Sequence, residues 1–347
     1  MEILIIKFRN IGDVLLASPL IKNLILNFPE AKIDFALNKE TKDMIQNNPH
    51  IRKVYMYDRV KMRSLSPLKR VFEEIRFAFD LKKKYDIVIN LTEGERGAFY
   101  TWITKAETKI GYPPKKGILK NVYDINLPKP WDKHIVEASL DPLREFGLNI
   151  YEKRVEIFWD KDDESDYEDF VHIHPVSRWL FKCIKDETMA GIIDFLELEL
   201  KQKVILTAAP DEKEIKKINS ILSLCKSEPI NLSGRLTLKQ SAALSKKAKL
   251  FIGVDTAIMH IAAANDVPVI AFFGPSSPKN WGAWDNELLK SGYQKEKGIQ
   301  KMGKHTVIQE DWECVPCHKD GCNGSKISDC LMSLDMDMIK NEIRKRL

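Results

Sequence analysis

A carboxylate near the start of the chain is the first residue whose position suggests chemistry. Asp13 stands in the segment NIGDVLLASP (residues 10–19), after an apolar run and directly after Gly12, which permits a tight turn. Aspartate is a common helix N-cap residue, so this position alone favours a structural role. The same carboxylate, kept ionised by a helix N-terminus, could accept a proton from an attacking hydroxyl group. Both roles stay open at this point.

A second candidate is the segment HPVSRWLFK (residues 174–182), which directly follows an apolar run. Ser177 could donate a hydrogen bond to a phosphate group, and Arg178 and Lys182 could neutralise its charge. The alternative is a polar loop with two exposed cations.

A third candidate is FIGVDTAIMHIAAA (residues 251–264), where an apolar run leads to Asp255 and a helix is predicted to begin near Thr256. The free N–H groups and the dipole at a helix N-terminus suit a diphosphate. His260 lies four residues after Thr256 and therefore shares its helix face, although a single histidine on a helix often has a structural role. The loop FGPSSP (273–278) follows the next apolar run, and its glycine and prolines are also typical of simple turns.

The elements that would position these residues are short apolar runs alternating with amphipathic stretches, a pattern typical of parallel sheets covered by helices. The predicted strands are residues 3–8, 31–37, 54–57, 87–91, 170–174, 203–208, 250–254 and 267–273. The predicted helices are residues 14–28, 39–47, 66–84, 186–200, 212–225, 238–245 and 256–265. Open parallel sheets bind ligands at the carboxyl ends of their strands, where all four candidate segments lie.

The 347 residues exceed what one hydrophobic core usually holds, and acidic residues crowd positions 160–169. We therefore expect two α/β domains, residues 1–160 and 170–334, joined by an acidic linker and enclosing a cleft. The net charge of +5 is too small to indicate a nucleic-acid partner, and none is expected.

The chain has no run of about 20 apolar residues that could span a bilayer. Its first residues, MEILIIKF, lack the basic start of a signal peptide. A cytoplasmic location is therefore expected, in which the six cysteines would stay reduced.

Together, these segments resemble glycosyltransferase family 9, the heptosyltransferases, in order and spacing. The cysteine-rich segment of residues 314–330 is most like the heptosyltransferase III branch. The resemblance implies a GT-B fold, with two Rossmann-like domains facing each other across a cleft and a last helix (335–347) returning to the N-terminal domain. It implies inverting transfer of heptose from ADP-heptose to the inner core of lipopolysaccharide, without a cofactor.

The resemblance also implies a role for each matching residue. Asp13 matches the catalytic base, and Lys182 matches the lysine that neutralises the diphosphate. The residues that match substrate-binding positions are Gly12, Ser177, Arg178, Glu212 (beside the nucleoside), Leu236 (near the nucleobase), Asp255, Thr256 and His260. Two departures are Ala257, where the family often has glycine, and the three residues between Arg178 and Lys182, where some relatives have two.

Two features of the sequence bear on metal binding, the D-x-D patterns and a group of four cysteines. Many glycosyltransferases bind a divalent metal through a D-x-D motif, but here that pattern occurs only at residues 160–162 and 335–337, neither after a predicted strand. We therefore expect metal-independent catalysis. Cys314, Cys317, Cys322 and Cys330 could form a reduced thiol cluster, a zinc site or a redox site, because CxxC is a common half of a zinc site.

Residues 59–84 hold nine lysines and arginines with apolar residues between them. Such a segment is typical either of a solvated helix face or of peripheral contact with anionic lipid at the inner face of the inner membrane. Two other functions remain as alternatives: a glycosyltransferase of the same fold that uses another nucleotide sugar, and a non-catalytic protein that binds a nucleotide or anion.

Overall fold

The structure is a computed structural model that describes residues 1–347. The chain divides into two compact units, Met1–Phe158 and Trp159–Leu347. The division falls two residues before the acidic segment that predicted a boundary. Each unit is built around its own sheet, and no helix is both long enough and apolar enough to cross a membrane.

The sheet of the first unit has six parallel strands in the order β3-β2-β1-β4-β5-β6. The strands are β1 Glu2–Lys7, β2 Lys32–Asn38, β3 Ile51–Tyr57, β4 Ile87–Asn90, β5 Thr108–Gly111 and β6 Ile125–Asn126. In this doubly wound order the chain reverses direction across the sheet between β1 and β4, the point where such folds bind ligands. Ile3 to Ile6 of β1 are fully buried, which explains the continuous apolar run in the sequence.

The first unit contains seven α-helices. They are α1 Ile11–Leu15, α2 Ser18–Asn27, α3 Arg59–Ser64, α4 Pro67–Leu81, α5 Glu95–Thr104, α6 Ile135–Ser139 and α7 Asp141–Glu145. The single helix predicted over residues 14–28 is in fact two helices. Pro19 lies in the first turn of α2, where its missing N–H group costs no hydrogen bond, and the chain breaks just before it. The helix predicted over residues 39–47 is a 3₁₀ helix, Lys39–Met44.

The second unit has a seven-stranded sheet in the order β12-β13-β11-β10-β7-β8-β9. Its strands are β7 Phe170–His174, β8 Lys203–Leu206, β9 Ile230–Asn231, β10 Ala248–Val254, β11 Val269–Phe272, β12 Gln300–Met302 and β13 His305–Ile308. All neighbours pair in parallel except β12, an antiparallel edge strand. The winding repeats that of the first unit, with the reversal between β7 and β10. Both units are therefore Rossmann-like, as predicted.

The second unit contains seven α-helices: α8 Asp186–Asp194, α9 Glu212–Leu224, α10 Leu238–Lys246, α11 Ala257–Ala264, α12 Pro278–Trp281, α13 Asp329–Met332 and α14 Met336–Arg344. The helix predicted over residues 186–200 is α8 followed by a π-helical stretch, Phe195–Glu199. Thr256, predicted to open a helix, is the residue just before α11.

The last helix, α14, packs into the core of the second unit. Ile339 and Ile343 are fully buried in the same hydrophobic core as Ile192 and Phe195 of the second unit. The helix also packs on α8, where the methyl group of Met336 lies against Gly191. The structure therefore places the apolar face of residues 335–347 on the second unit. The contact of this helix with the N-terminal domain stays a prediction.

Candidate functional site

Every site residue predicted in the second unit lies after one of five adjacent parallel strands. In sheet order, β11 leads to the loop 273–278, β10 to Asp255, β7 to Ser177 and Lys182, β8 to Glu212 and β9 to Leu236. Because parallel strands end at the same edge of a sheet, residues far apart in the sequence share one rim.

The central feature of this rim is an ion pair between Lys182 and Asp255. The lysine Nζ donates to the Asp255 Oδ2 at 2.5 Å. Lys182 belongs to the loop after β7 and Asp255 directly follows β10, so the pair spans the point where the winding of the sheet reverses. This is the position at which doubly wound sheets bind nucleotides and phosphates.

Asp255 is buried, yet it is held in the ionised form. Burial is the largest single influence and acts to raise the pKa of this carboxyl group, whereas the charge and hydrogen bond of Lys182 act to lower it. A hydrogen bond from Ser276 and the nearby His260 lower the pKa further, so it lies below its usual value. The pair therefore fixes a negative charge that holds the ammonium group of Lys182 in place.

The close approach of β7 and β10 depends on a glycine. Gly253 pairs in register with His174, and a Cβ atom at this position would lie 2.6 Å from the His174 carbonyl oxygen. A larger residue would push the strands apart. Gly253 thus allows Asp255, two residues on, to reach the loop that follows His174.

The loop 273–278 supports the same pair from the other side. Ser276 is hydrogen-bonded to Asp255. Gln309 follows β13, and its Nε2 donates to the carbonyl oxygens of Gly274 at 2.8 Å and Ser276 at 2.9 Å. Sequence reasoning missed Gln309, because a single buried glutamine after a short strand carries no recognisable motif.

The N-terminus of α11 is arranged to receive an anion. Thr256 has an extended backbone, and its Oγ1 atom is buried without a hydrogen-bond partner. A buried hydroxyl without a partner is costly, and a phosphate oxygen could accept its proton. His260, one turn into the helix, is also buried near Asp255.

The loop after β7 carries the other two predicted phosphate ligands in different environments. Ser177 is buried, and its Oγ accepts a hydrogen bond from the Trp179 backbone at 3.2 Å, which leaves its own proton to donate. Arg178 is exposed and stacks over the Trp179 ring at 4.8 Å. Ser177 therefore has a fixed position, whereas Arg178 is held by ring stacking and by the charge of Glu214.

The loops after β8 and β9 form the neighbouring part of the rim. Glu212 is the exposed first residue of α9, and Leu236 is partly buried. A hydrogen bond of 2.9 Å from the Gly234 N–H group to the Ala208 carbonyl oxygen joins the two loops. Glu214, which sequence reasoning missed, is buried and accepts from the Ala209 N–H group at 2.9 Å. Burial is the main cause of its raised pKa.

Two buried histidines lie beneath the rim. His172 is hydrogen-bonded through Nδ1 to Ser245 at 2.9 Å and through Nε2 to Thr207 at 2.7 Å, and His174 Nδ1 lies 2.9 Å from the same Thr207 hydroxyl. Burial lowers the pKa of His172 to about 3 and that of His174 to about 4. Both rings are therefore neutral and serve to tie β7 to β8 and α10.

In the first unit, Asp13 is not the helix cap that its position suggested. Asn10 is the N-cap residue of α1, and Asp13 is its third helical residue, one after Gly12. The Asp13 Oδ2 accepts a hydrogen bond from the Asn10 N–H group at 3.2 Å, and Oδ1 lies 3.7 Å from the Arg9 Nε. The carboxylate is thus buried and oriented at the carboxyl end of β1, where the winding of this sheet reverses.

Asp13 lines a small pocket with residues that sequence reasoning missed. Its other ionisable lining groups are Lys7, Arg9, Glu93 and Tyr112, and Trp131 forms part of the wall. Burial lowers the pKa of Lys7 to about 8, with the Asp13 carboxylate acting in the opposite direction. A lysine at the end of an otherwise apolar strand was the only signal available in the sequence.

The cysteine-rich segment, residues 314–330, packs against the loops of the rim. The buried Ser328 hydroxyl donates to the Phe181 carbonyl oxygen at 2.6 Å, and the His318 N–H group donates to the Pro275 carbonyl oxygen at 2.9 Å. A Cβ atom on Gly274 would lie 2.6 Å from Leu331. The segment therefore supports the loops that carry Lys182 and Ser276.

All six cysteines are free thiols. Cys330 is buried, and this burial, together with the neighbouring Cys322, Cys317 and Cys314, raises its pKa to about 11. No group of three or more His, Cys, Asp or Glu residues is placed to hold a metal ion. The two D-x-D patterns lie in a 3₁₀ turn, Lys161–Asp163, and at the start of α14, where Asp335 caps the helix.

Comparison with known proteins identifies the family of the chain. The model of glycosyltransferase family 9 (heptosyltransferase) matches residues 75–309. Two proteins of Escherichia coli named lipopolysaccharide heptosyltransferase 3 are similar in sequence. One is 29% identical over 80% of this chain and 85% of its own length, and the other is 31% identical over 82% and 86%.

Solved structures agree with this fold. A glycosyltransferase of family 9 from Veillonella parvula has a TM-score of 0.74 at 18% identity, covering 99% of this chain and 95% of its own. An Escherichia coli heptosyltransferase solved with ADP has a TM-score of 0.76 at 17% identity, with both chains fully covered. The predicted GT-B fold, the predicted family and its heptosyltransferase III branch are confirmed.

Proposed function

This chain belongs to glycosyltransferase family 9, and we propose that it is an inverting enzyme that transfers heptose from ADP-heptose to the inner core of lipopolysaccharide. The two Escherichia coli relatives named lipopolysaccharide heptosyltransferase 3 support heptose transfer in lipopolysaccharide core synthesis. The ADP in a solved relative supports an adenine nucleotide donor.

The observation that carries the proposal is the Lys182–Asp255 pair beside the N-terminus of α11. A departing nucleoside diphosphate gains negative charge as the bond to the sugar breaks. Fixed cations and N–H groups aimed at that charge are usually the largest contribution to catalysis. Lys182 supplies the cation, and the Thr256 hydroxyl and the first N–H groups of α11 supply donors.

The remaining residues of the rim would hold the rest of the donor. Ser177 has a free hydroxyl proton for a phosphate oxygen, and Arg178 adds an exposed cation. Glu212 and Leu236, on the two joined loops after β8 and β9, would contact the nucleoside. His260 would contact the sugar or phosphate side of the same rim.

Asp13 would act on the acceptor. Its carboxylate takes the proton of the attacking hydroxyl group, and that oxygen forms a bond to the anomeric carbon while the bond to the diphosphate breaks. The electron pair of the broken bond leaves with ADP. A single displacement of this kind inverts the configuration at the anomeric carbon. Gly12, beside the base, leaves room for the acceptor.

The direct test is an assay of the purified chain with ADP-heptose and defined lipopolysaccharide core acceptors, with UDP- and GDP-sugars as control donors. We expect ADP release that depends on the core acceptor, together with a product of inverted configuration. Faster transfer from a UDP- or GDP-sugar would contradict the donor assignment. If the chain binds the donor but releases no nucleotide with any of the acceptors, it is a binding protein instead.

A further inference from the structure

The net positive charge of the chain is concentrated in one segment of the first unit. Residues 59–84, which include α3 and α4 and are called the basic segment here, hold nine lysines and arginines and three acidic residues. The segment thus carries a net charge of +6, whereas the whole chain carries +5, so the other residues together are close to neutral. Charge of this kind attracts anionic surfaces to one side of the unit.

Helix α4 within this segment has two apolar faces. Its inner face packs into the core through Ala78, Leu81 and Phe77, whose ring lies 5.1 Å from that of Tyr100. Glu74 on the same face is hydrogen-bonded to Tyr100. These contacts account for the packing of the helix on its own unit.

The outer face of α4 is apolar as well, but nothing covers it. Leu68, Phe72, Ile75 and Phe79 are spaced four, three and four residues apart and therefore form one stripe. Their exposed fractions are 86%, 68%, 49% and 64%. A contiguous exposed stripe of large apolar side chains, as opposed to scattered ones, marks an interaction surface.

Cations border this stripe. Lys69 and Arg76 each directly follow a residue of the stripe and are exposed, and Lys82 extends it at the end of the helix with its Nζ over the Phe79 ring. Long basic side chains of this kind can bury their methylene groups in an apolar layer while their charges reach phosphate groups. An apolar stripe edged by cations is typical of helices that lie in the surface of anionic bilayers.

We propose that the outer face of α4 binds the surface of an anionic phospholipid bilayer, with the stripe at the boundary of headgroups and acyl chains. The cations of the basic segment then lie at lipid phosphates. A second copy of the chain is a poor occupant, because it would bring two segments of +6 charge together. The proposal goes beyond the glycosyl transfer itself, since binding requires neither donor nor acceptor sugar.

Co-sedimentation of the full chain with vesicles tests this surface directly. We expect binding to vesicles of equal parts phosphatidylglycerol and phosphatidylcholine, weaker binding as salt increases, and little binding to phosphatidylcholine alone. The double variant Phe72→Ser/Phe79→Ser should bind the anionic vesicles at least about tenfold more weakly. Lys69→Glu/Arg76→Glu should lose about as much at low salt.

The matched control is Ile118→Ser/Leu289→Ser, which removes two exposed apolar side chains, 99% and 65% exposed, outside the basic segment. It should bind vesicles as the unmodified chain does. Unchanged melting temperature and ADP affinity would show that each variant is folded. Equal vesicle binding by the Phe72/Phe79 variant and the unmodified chain would overturn the proposal.

Sedimentation equilibrium without lipid tests the competing occupant. A dimer that the Phe72/Phe79 variant converts to a monomer, without vesicle binding by either protein, would assign the stripe to a second copy and overturn the lipid proposal. Vesicle binding is measured without ADP-heptose, so its failure is distinct from a failure of the proposed transfer reaction.

Discussion

The hydroxyl group of Ser328 donates a hydrogen bond of 2.6 Å to the carbonyl oxygen of Phe181, the residue directly before Lys182. The two residues are 147 positions apart, and the bond is buried. It links the cysteine-rich segment to the short 3₁₀ turn Leu180–Lys182 that presents the lysine ammonium group to Asp255. Ser328 is therefore a positioning residue for the proposed donor site.

Replacing Ser328 by alanine should weaken donor binding. The Phe181 carbonyl would lose its buried partner, which typically costs about 1 kcal/mol, so we expect KM for the donor to rise about fivefold with a smaller change in kcat. Ser328→Thr, which keeps the hydroxyl group, should restore KM. The matched control is Ser325→Ala, an exposed serine of the same segment. A lower melting temperature with unchanged KM would indicate a purely structural role.

Asp13→Asn should remove catalysis while leaving the donor site intact. The amide preserves the shape of the side chain but cannot take a proton, and loss of a general base typically lowers kcat by about 10²–10⁴-fold. Calorimetric titration with ADP should give an affinity close to that of the unmodified chain. Asp43→Asn, a partly buried carboxylate outside the pocket, should keep its activity. Turnover of Asp13→Asn like that of the unmodified chain would rule out the base assignment.

Lys182→Ala should affect both catalysis and the ionisation of Asp255. Loss of a fixed charge aimed at the leaving group should lower kcat/KM by about 10²–10³-fold and weaken ADP binding. Because Lys182 opposes the effect of burial on Asp255, its removal should raise the pKa of that carboxyl group. The melting temperature at neutral pH should fall as well, since a buried carboxylate loses its partner. Exposed Lys185→Ala serves as the control, and unchanged ADP affinity in Lys182→Ala would contradict the donor role.

Removal of divalent metals should leave transfer unchanged. Lys182 and the helix N-terminus supply the positive charge at the proposed diphosphate site, and neither D-x-D pattern follows a strand of the sheets. Initial rates with EDTA and with added Mg²⁺ or Mn²⁺ should agree. Elemental analysis of the purified protein checks the cysteine-rich segment at the same time. A rate lost with EDTA and restored by a metal would contradict the prediction, and stoichiometric zinc would assign the four cysteines to a metal site.

The second unit should lose stability as the pH falls from about 6.5 towards 4. His172, His174 and His305 have pKa values lowered by burial to about 3, 4 and 4, against 6.5 in the unfolded chain. The unfolded state therefore binds more protons in this window. The stability that comes from keeping these three histidines neutral is fully present above about pH 6.5 and is lost as the pH falls below it. Each histidine should contribute a slope of about 1.4 kcal/mol per pH unit.

Thermal denaturation in a series of buffers measures this slope. His172→Gln should make it shallower, because one proton fewer is taken up on unfolding. The exposed His318→Gln is the matched control. The same slope in His172→Gln and in the unmodified chain would show that this ring does not control the acid sensitivity.

The sequence alone predicted the family and eight of the thirteen strands, which are β1 to β4, β7, β8, β10 and β11, and there is a physical reason for this. Buried parallel strands require continuous apolar runs, and the loops that follow them carry the polar motifs, so both are visible as patterns along the chain. β7 was predicted with its observed bounds, and α9 within one residue. The order of the four segments was enough to identify glycosyltransferase family 9.

The tertiary structure decided which of those residues meet. The strand order, which depends on long-range pairing, places β7 beside β10 and so brings Lys182 to Asp255 across 73 positions. It also gave roles to Gln309 and Ser328, whose hydrogen bonds reach loops distant in sequence and leave no local pattern.

Local patterns also proved insufficient for Asp13 and the last helix. Asn10 occupies the N-cap position of α1, because the helix begins two residues before Asp13. The packing of α14 was set by the core that could bury Ile339 and Ile343, which the amphipathic pattern of that helix does not specify. The sequence thus determined which residues could do the chemistry and roughly where each strand and helix lies. Only the packing of strands and helices determined which side chains face one another, because those contacts join residues with no relation along the chain.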